Sequence, residues 1–592
     1  MTIRAESGIE AKSKTMNEIL RRKKYQVKYF QREYKWERNN IEDLLIDLER
    51  SFFSNFETGD TRNNVPEYDS YYMGPIVLYR DKTSFIIVDG QQRLTSFTLL
   101  MIYLKHLQDD LFKNESKKVQ NLDEYIYSQP YENETLNMEI SEREPILKGL
   151  FDRKISEDMI VNESSQNIHD RFFDIADIFS KNLSRPEILP VYINWIQEKV
   201  IFIEIMAQSS DSAYTIFESM NDRGLKLTQS ELLKSYLLSN VKDDIEIKSL
   251  DKNWKEKIAL LNSFDYDADE EFFKTWLRAK YAQSNNAQEA NTKSDFDRIG
   301  SRFSNWVQDH SKQLLKLDQK DPDTYFYFVH SDFHFYSDLF IDLIKLENQD
   351  HGNENVLTLM SFRGISSSLT FPLILSPVQI IDDRDLILKK IEITSNFIDC
   401  FSFYRMIQNM SIAHNSVDTT LNKLVVETRN KDIVEITKTY SELIKQTRID
   451  FLKNIDYIST DPMSSRFILS RLYKTIHKEV SFDTLYFQRK KDSYSMYQFM
   501  TLDDVDPEVN KMNRKLKEIF VNSLCTSVMV PRNIHSELNK KSVHQRIQYL
   551  IENQYFPELE NVSLKLEKDN LSEFFKTRNK AMKEFIYNRW KI

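Results

Sequence analysis

Three short polar segments in the first 240 residues carry side chains suited to binding phosphate. The first reads FQREYKW and places Gln31 and Arg32 among aromatic rings, directly before a helical pattern. An arginine can hold a phosphate through two parallel N–H bonds, and aromatic rings can shape a pocket or stack on a base. The segment therefore indicates an anion or nucleotide contact, although the same residue types also suit an ordinary loop.

The second segment, FIIVDGQQRL, ends an apolar run at Asp89 and predicts a strand, a turn and a helix. Asp89 is expected to cap that helix or to help hold Mg²⁺, and Gly90 would let the backbone approach a ligand closely. Gln91, Gln92 and Arg93 would then be donors in the first turn, beside the positive end of the helix dipole. Asp-Gly turns are common, so a purely structural role is the alternative.

The third segment, FESMNDRG, is a polar turn that contains Asn221 and Gly224. It is followed by Thr228 and Glu231, whose spacing is typical of a capping box that opens a helix. An ordinary loop before a capped helix is again the alternative. Each segment offers an arginine and a side-chain amide, which favours a shared site only modestly.

Hydrophobic periodicity predicts the elements that must position these segments. Strands are expected at 71–80, 84–88 and 199–206, and amphipathic or buried helices at 40–52 and 94–107. The following chain is helical in pattern. We expect a mixed domain over 1–240, a helical middle over 241–470 and a basic C-terminal domain over 471–592.

Composition excludes several classes of protein. The 592 residues include only 9 Gly, none after Gly364, and contain neither a P-loop nor a Rossmann glycine motif. No apolar run is long enough to cross a membrane, and the N-terminus lacks the apolar core of a signal peptide. Two unpatterned cysteines, Cys400 and Cys525, fit a reducing compartment, so we expect a cytoplasmic protein.

Charge is distributed unevenly along the chain. The net charge is −10, yet residues 511–592 hold 16 Lys and Arg against 9 Asp and Glu, a net of +7 that leaves −17 for the rest. A basic C-terminal segment permits a local contact with DNA, and a solvated helical surface is the simpler alternative.

The three segments together resemble the N-terminal domain of GmrSD-type restriction proteins, over about residues 15–240. That family shows Q-R-x-Y-x-W, then D-G-Q-Q-R-L after a strand, then F-x-x-x-N-x-x-G before an L-L-K helix. Here the same patterns begin at Gln31, Asp89 and Phe217, in the same order. The resemblance implies an α+β domain with a ParB/sulfiredoxin-like fold, followed by a predominantly α-helical middle and C-terminal region.

The resemblance also implies an activity. Family members bind and hydrolyse a nucleoside triphosphate (NTP), for which Mg²⁺ is the expected cofactor, and couple this to an HNH-type nuclease domain in defence against phage. Asp89, Arg93 and Arg32 would be catalytic, the arginines by stabilising phosphate charge. The full set of implied nucleotide contacts is Gln31, Arg32, Asp89, Gly90, Gln91, Gln92, Arg93, Asn221 and Gly224. A second copy of the chain or another defence protein is a further expected partner.

The C-terminal region departs from the family pattern. An HNH nuclease needs a general-base His and metal ligands, yet no His lies between residues 478 and 534, and the expected position reads YQFM at 497–500. Asn522, Asn533 and His535 are the traceable remnants of a degenerate nuclease site. Two alternatives stay open: an active nuclease with His535 or His544 as the base, and a non-catalytic nucleotide sensor or scaffold.

One further pair could bind a metal. His330 and His334 have the i,i+4 spacing that can hold an ion on a helix, but the sequence offers no third ligand. Ordinary aromatic packing is the favoured interpretation.

Overall fold

The fold was analysed in a computed structural model of the chain. It describes residues 3–4, 10–27, 33–81, 84–113, 120–128, 135–139, 143–209, 212–213, 216, 228–283, 294–348, 364–454, 458, 460–486, 493–501, 504, 514–559 and 571–591. The chain divides into two compact units, Met1–Asp251 and Lys252–Ile592. The predicted boundary at residue 240 lies close to this division, and the predicted boundary at residue 470 stays a prediction.

The first unit is built on a mixed sheet of seven strands. Their bounds are β1 Ile3–Arg4, β2 Glu10–Thr15, β3 Tyr25–Gln26, β4 Tyr71–Asp81, β5 Ser84–Asp89, β8 Met138–Glu139 and β9 Val200–Ala207, and β6 Tyr127–Ser128 and β7 Thr135–Leu136 form a separate pair. The order across the sheet is β1-β2-β9-β4-β5-β3-β8. The central strand β4 runs antiparallel to β5 and parallel to β9. The strands expected from the sequence are therefore confirmed, and they form the middle of the sheet.

Helices surround this sheet. Their bounds are α1 Met16–Leu20, α2 Arg38–Phe53, α3 Gln91–Leu111, α4 Glu144–Phe151, α5 Glu163–Ile178, α6 Leu189–Lys199 and α7 Gln229–Ser239. The helices predicted at 40–52 and 94–107 are α2 and α3. The apolar residues of helix α5 join the main core beside α2 and α3.

Side-chain alternation along the central strands produces two separate cores. In β4, Ile76 and Leu78 enter the main core with α2, α3, α5 and α6, whereas Val77 and Tyr79 face a smaller core on the other side. Leu232 of α7 packs against this smaller core. Successive strand residues point to opposite faces, so an apolar strand can bury both. Both faces of the sheet are thus covered, and β4, β5 and α3 are held firmly at its centre.

The second unit is largely helical. Its helices are α8 Asp244–Asn262, within which the division between the units falls, α9 Ala268–Lys280, α10 Asp295–His310, α11 Asp323–Tyr327, a π-helix Phe328–Phe333, α12 His334–Glu347, α13 Ser367–Leu375, α14 Arg384–Ile407, α15 His414–Thr428, α16 Ile433–Asn454, α17 Pro462–Ile476, α18 Phe482–Tyr486, α19 Arg514–Val521, α20 His535–Leu538, α21 Val543–Glu552 and α22 Leu571–Arg589. Stacked aromatic rings fill its core. For example, the ring centroids of Trp254 and Phe333 lie 4.3 Å apart, and the two ring planes differ by 9°.

A two-stranded antiparallel sheet of β10 Tyr494–Gln498 and β11 Ser527–Pro531 interrupts the helices near the C-terminus. Its core contains Phe499, which is fully buried among the rings of Phe556, Phe574 and Phe575. Helix α22 closes this core at one end and reaches the middle helices at the other, where Trp590 stacks on Phe403 at 3.9 Å.

The predicted fold class is confirmed: a mixed α/β region is followed by a mostly helical remainder. The narrower likeness to a ParB/sulfiredoxin fold stays a prediction. Within the described ranges, no helix is both long and apolar enough to span a membrane.

Candidate functional site

The second polar segment forms the predicted strand, turn and helix, but with a different cap. Strand β5 ends at Asp89, and Gly90 is the N-cap of α3 in a left-handed conformation with φ +97°. A Cβ at Gly90 would lie 2.5 Å from Cγ2 of Ile76. Both the positive φ and the contact with β4 require glycine here. The expectation that Asp89 caps the helix is wrong, because Asp89 is the last residue of the strand.

Arg93 lies in the first turn of α3 and folds back over β4. Its Nη1 donates a hydrogen bond to the carbonyl oxygen of Pro75, and its guanidinium lies 3.5 Å from the position that a Cβ on Gly74 would occupy. Gly74 has φ +125° and lies where the register of β4 against β9 shifts. Nη2 of Arg93 is 3.9 Å from the Asp89 carboxylate. The cation and the carboxylate therefore lie side by side at the carboxyl end of β5.

Gln92 connects this helix to the first polar segment. Its Oε1 accepts from the Lys35 amide at 2.9 Å, and its Nε2 donates to the Glu33 carbonyl oxygen at 2.6 Å. The neighbouring Gln91 is buried at the start of α3. One side-chain amide thus fixes the backbone that directly follows Gln31 and Arg32.

Two aromatic residues of the first segment, Tyr34 and Trp36, pack in or against the main core. Tyr34 is fully buried, and its hydroxyl forms a 2.8 Å hydrogen bond with Ser96 of α3. Its backbone amide donates to Ser164 Oγ, and Asn167 donates to its carbonyl oxygen, so α5 holds this residue as well. The alternative that Tyr34 stacks on a base is wrong, because its ring and hydroxyl are enclosed by protein.

Ion pairs extend the attachment of this segment to α5. Arg171 donates to the Trp36 carbonyl oxygen at 3.1 Å and contacts Asp174 at 2.5 Å. Arg38, at the start of α2, contacts Asp174 at 2.6 Å and Asp177 at 2.5 Å. These charged side chains position the backbone around residues 34–38 from a second helix.

The helix that follows the third segment contacts the first segment. Thr228 and Glu231 form the predicted capping box: Thr228 Oγ1 accepts from the Glu231 amide at 3.1 Å, and the Glu231 carboxylate accepts from the Thr228 amide at 3.0 Å. The Lys35 ammonium lies 3.6 Å from this carboxylate. Lys35 therefore contacts Gln92 through its backbone and Glu231 through its side chain, which links the first two segments to α7.

Helix α7 also carries a buried ion pair. Lys234 Nζ lies 2.5 Å from the Asp251 carboxylate, and both side chains are almost fully buried. This lysine belongs to the L-L-K pattern, and its partner shows that it anchors α7 to α8. Removal of one partner from such a buried pair strongly destabilises a protein, because the other charge is left buried without compensation.

The structure thus brings Asp89, Gly90, Gln91, Gln92 and Arg93 to one turn beside Lys35. Four of the residues implied by the resemblance lie outside the described residues: Gln31, Arg32, Asn221 and Gly224. The described part offers a carboxylate, a guanidinium and a helix N-terminus in one place. Such groups can bind an anion, and a carboxylate can add a ligand to a divalent cation that a phosphate already holds.

The C-terminal candidate residues occupy a small strand–strand–helix arrangement of β10, β11 and α20. His535 begins α20, and its Nε2 is 3.1 Å from the Ser495 hydroxyl of β10. Burial, aided by the nearby Arg532 cation, lowers the pKa of His535. The imidazole is therefore mostly neutral at pH 7, a state in which it can accept a proton.

The three predicted remnants of a nuclease site lie on either side of β11 in the chain. Asn522 precedes the strand and is exposed, whereas Asn533 and His535 follow it. A shared site for these three residues stays a prediction. Phe499, near the expected base position, belongs to the hydrophobic core instead.

The other histidines show no metal site. His330 lies in the π-helix and stacks on Phe326 at 5.0 Å, and His334 lies 3.5 Å from the Asp338 carboxylate. His544 is half-buried on α21. Among the residues that the structure describes, no group of three His, Cys, Asp or Glu side chains could hold an ion.

Several positioning residues were missed from sequence. Four residues bind the first segment through hydrogen bonds: Ser96, Ser164, Asn167 and Arg171. Each of these bonds joins residues more than 60 positions apart in the chain. Only the polar residues on the buried side of α5 could have hinted at them. Lys35 was part of the segment but carried no separate prediction.

Comparison with known proteins gives a match, to a protein family, over the N-terminal part of the chain. No curated protein is similar enough to count as a relative. The family described as the GmrSD restriction endonuclease, N-terminal domain, matches residues 16–238. This range contains the complete motif trio, the central strands of the sheet and helices α1 to α6, and it ends within α7. Over residues 16–238 the chain is therefore similar to the N-terminal domain of GmrSD restriction endonucleases, which supports a restriction and phage-defence family for this part of the protein.

Proposed function

We propose that the N-terminal domain binds an NTP and hydrolyses it, and that this controls a DNA-directed C-terminal effector in defence against phage. The observation that carries the proposal is the position of Arg93. Its guanidinium lies at the carboxyl end of β5, beside Asp89 and the first turn of α3. Charge of this kind, held by the backbone before a ligand arrives, stabilises developing phosphate charge without reorganisation.

Backbone contacts support this role for Arg93. The bond to Pro75 and the packing over Gly74 fix the direction of the guanidinium. A guanidinium has five N–H donors, so a bond from Nη1 leaves capacity for phosphate oxygens. The side chain keeps 25% of its surface exposed, which permits access from solvent.

Mg²⁺ fits the donor set at this turn. Mg²⁺ is commonly bound by one or two carboxylates together with substrate phosphates and water. Asp89 supplies one carboxylate with 29% of its side-chain surface exposed. Asp89 would help hold the ion, which would supply positive charge to the phosphate oxygens. The residues of the chain would hold the triphosphate and orient it toward water.

Substitution of Arg93 tests the proposal. We expect Arg93→Ala to weaken Mg²⁺–NTP binding at least tenfold and to lower the hydrolysis rate further, because a transition-state contact is lost. Calorimetry with each of the four ribonucleoside triphosphates measures binding, and phosphate release measures turnover. Arg80→Ala, an exposed change at the opposite end of the same strand pair, should leave both unchanged. Equal or undetectable binding in wild type and Arg93→Ala contradicts the proposal.

A non-catalytic effector is the second candidate. The absence of a histidine between residues 478 and 534 favours a C-terminal region that binds DNA or a partner protein without cutting it. Tight NTP binding without phosphate release would extend this to the N-terminal domain as a pure sensor. Incubation with plasmid and Mg²⁺ or Mn²⁺, with and without NTP, tests cleavage. Cleavage that His535→Ala abolishes would establish the nuclease instead.

A further inference from the structure

The amide of Gln92 makes a two-point contact with the backbone of another segment. Nε2 donates to the Glu33 carbonyl oxygen at 2.6 Å, and Oε1 accepts from the Lys35 amide at 2.9 Å. The Gln92 amide thus satisfies one carbonyl oxygen and one N–H group of a backbone segment that forms no strand at residues 33–35. A side-chain amide is the group that can supply both roles at once.

We propose that Gln92 is a positioning residue for the nucleotide site and not a ligand of the nucleotide. Its amide holds the Glu33–Lys35 backbone beside the turn that carries Asp89 and Arg93, and so places Lys35 at the site. The inference rests on the proposed function. It changes the role that the family resemblance implies for this glutamine.

The Lys35 side chain explains why this contact matters. Lys35, whose amide donates to Gln92, carries an ammonium that lies 3.6 Å from the Glu231 carboxylate of α7. Gln92 therefore fixes the Glu33–Lys35 backbone against α3, and Lys35 links the same backbone to α7. Misplacement of a binding group by about 1 Å can cost a hundredfold in rate.

The same helix contains a matched control. Gln108 of α3 makes the same pair of bonds to a different segment: Nε2 donates to the Gln120 carbonyl oxygen at 2.6 Å, and Oε1 accepts from the Gln120 amide at 3.0 Å. It lies about 24 Å further along the helix axis, at roughly 1.5 Å per residue. Loss of this contact should lower the stability of the fold about as much as the loss at Gln92 does. It should leave nucleotide binding unchanged, because it is distant from the nucleotide site.

The experiment compares Gln92→Leu, Gln92→Glu and Gln108→Leu in the full-length protein. Leucine keeps the size and removes both bonds, whereas glutamate keeps the acceptor for the Lys35 amide and loses the donor. We expect Gln92→Leu to weaken binding of Mg²⁺–ATP or Mg²⁺–GTP, whichever wild type binds more tightly, by about tenfold or more. Gln92→Glu should show a similar loss, and Gln108→Leu should stay within twofold of wild type. Melting temperatures should fall by similar amounts in both leucine variants.

Amide hydrogen exchange reports the positioning directly. Exchange at Lys35 should rise in Gln92→Leu and stay unchanged in Gln108→Leu, where exchange at Gln120 should rise instead. If wild type binds nucleotide and Gln92→Leu binds it as Gln108→Leu does, the positioning role is overturned while the proposed function stands. If wild type binds no triphosphate, the proposed function fails and this inference fails with it.

Discussion

Single residues in this protein are constrained most tightly where strand β5 turns into helix α3. Gly90 combines a left-handed backbone with a contact that leaves no room for a side chain, because Ile76 of the neighbouring strand lies against it. Arg93 and Gln92 then use the first turn of the helix for two different tasks, one toward β4 and one toward the first segment. A five-residue motif thus combines backbone geometry, a cation and a structural amide.

Gly90→Ala tests this constraint at the residue scale. The left-handed conformation costs a non-glycine residue about 1 kcal/mol, and the overlap with Ile76 adds a packing cost of about 1–3 kcal/mol. We therefore expect a loss of about 2–4 kcal/mol in the free energy of unfolding. Urea denaturation followed by circular dichroism measures it.

Gly59→Ala provides the control for that measurement. Gly59 has φ +102°, and a Cβ there meets nothing within 4 Å. Only the backbone term applies, so we expect a loss of about 1 kcal/mol. Equal losses in the two variants would show that the contact with Ile76 is harmless.

At the scale of elements, buried polar groups hold helices together in the second unit. Arg578 of α22 is almost fully buried, where it contacts Glu558 at 2.6 Å and donates to the carbonyl oxygens of Cys525 and Ser527. Lys280 Nζ, at the end of α9, donates to the carbonyl oxygens of Ser376 and Val378 after α13. Such cations complete the hydrogen bonds of helix ends and loops inside the core.

The π-helix between α11 and α12 contains a further buried polar group, the Asp332 carboxyl, whose effect on stability depends on pH. Burial raises the pKa of Asp332 to about 6, and Tyr281 donates a 3.4 Å hydrogen bond to its carboxylate. The folded protein therefore holds this proton more tightly than the unfolded chain, whose carboxyl titrates near 3.8. The stabilisation is complete below about pH 4 and is lost as the pH rises through 6.

Asp332→Asn should remove this dependence. We expect the stability of wild type to fall relative to that of the variant between pH 4 and 6. Above pH 6 the difference in stability between the two proteins should be constant. Thermal melting in matched buffers from pH 4 to 8 measures the difference. Asp342→Asn, an exposed change on α12, should follow wild type across the range. A wild-type curve parallel to that of Asp332→Asn would contradict the assignment.

At the scale of the whole molecule, two compact units divide the chemistry. The first contains a sheet covered on both faces with the Asp89–Arg93 turn at the end of β5, and the second contains the stacked aromatic core and the basic segment. The net charge of +7 over residues 511–592 opposes −17 over the rest. Any contact with DNA should therefore be confined to that segment and depend strongly on salt.

Charge reversal tests this distribution. Lys540 and Lys576 are exposed within the basic segment, and Lys423 and Lys438 are exposed on the middle helices. We expect Lys540→Glu with Lys576→Glu to weaken duplex DNA binding about tenfold and to reduce the slope of log affinity against log salt by about 2. Lys423→Glu with Lys438→Glu carries the same charge change and should act only weakly. Fluorescence anisotropy between 50 and 200 mM salt distinguishes them; equal effects would argue against a C-terminal DNA contact.

The sequence by itself determined the central strands, helices α2 and α3, the capping box of α7 and the family of the N-terminal domain. Each depends on local information: residue periodicity, a turn with glycine, or a motif with fixed spacing. It also showed the absence of a histidine between residues 478 and 534. These features can be predicted from the sequence because residues that are neighbours in the chain specify them.

Only the tertiary structure decided how the motif residues divide their tasks. Tyr34 packs inward because α3 and α5 offer Ser96 and Ser164 to it, and Gln92 faces Glu33 and Lys35 because β5 and α3 place it there. These outcomes depend on contacts between residues distant in sequence, and no local pattern encodes which distant partner a polar side chain will meet.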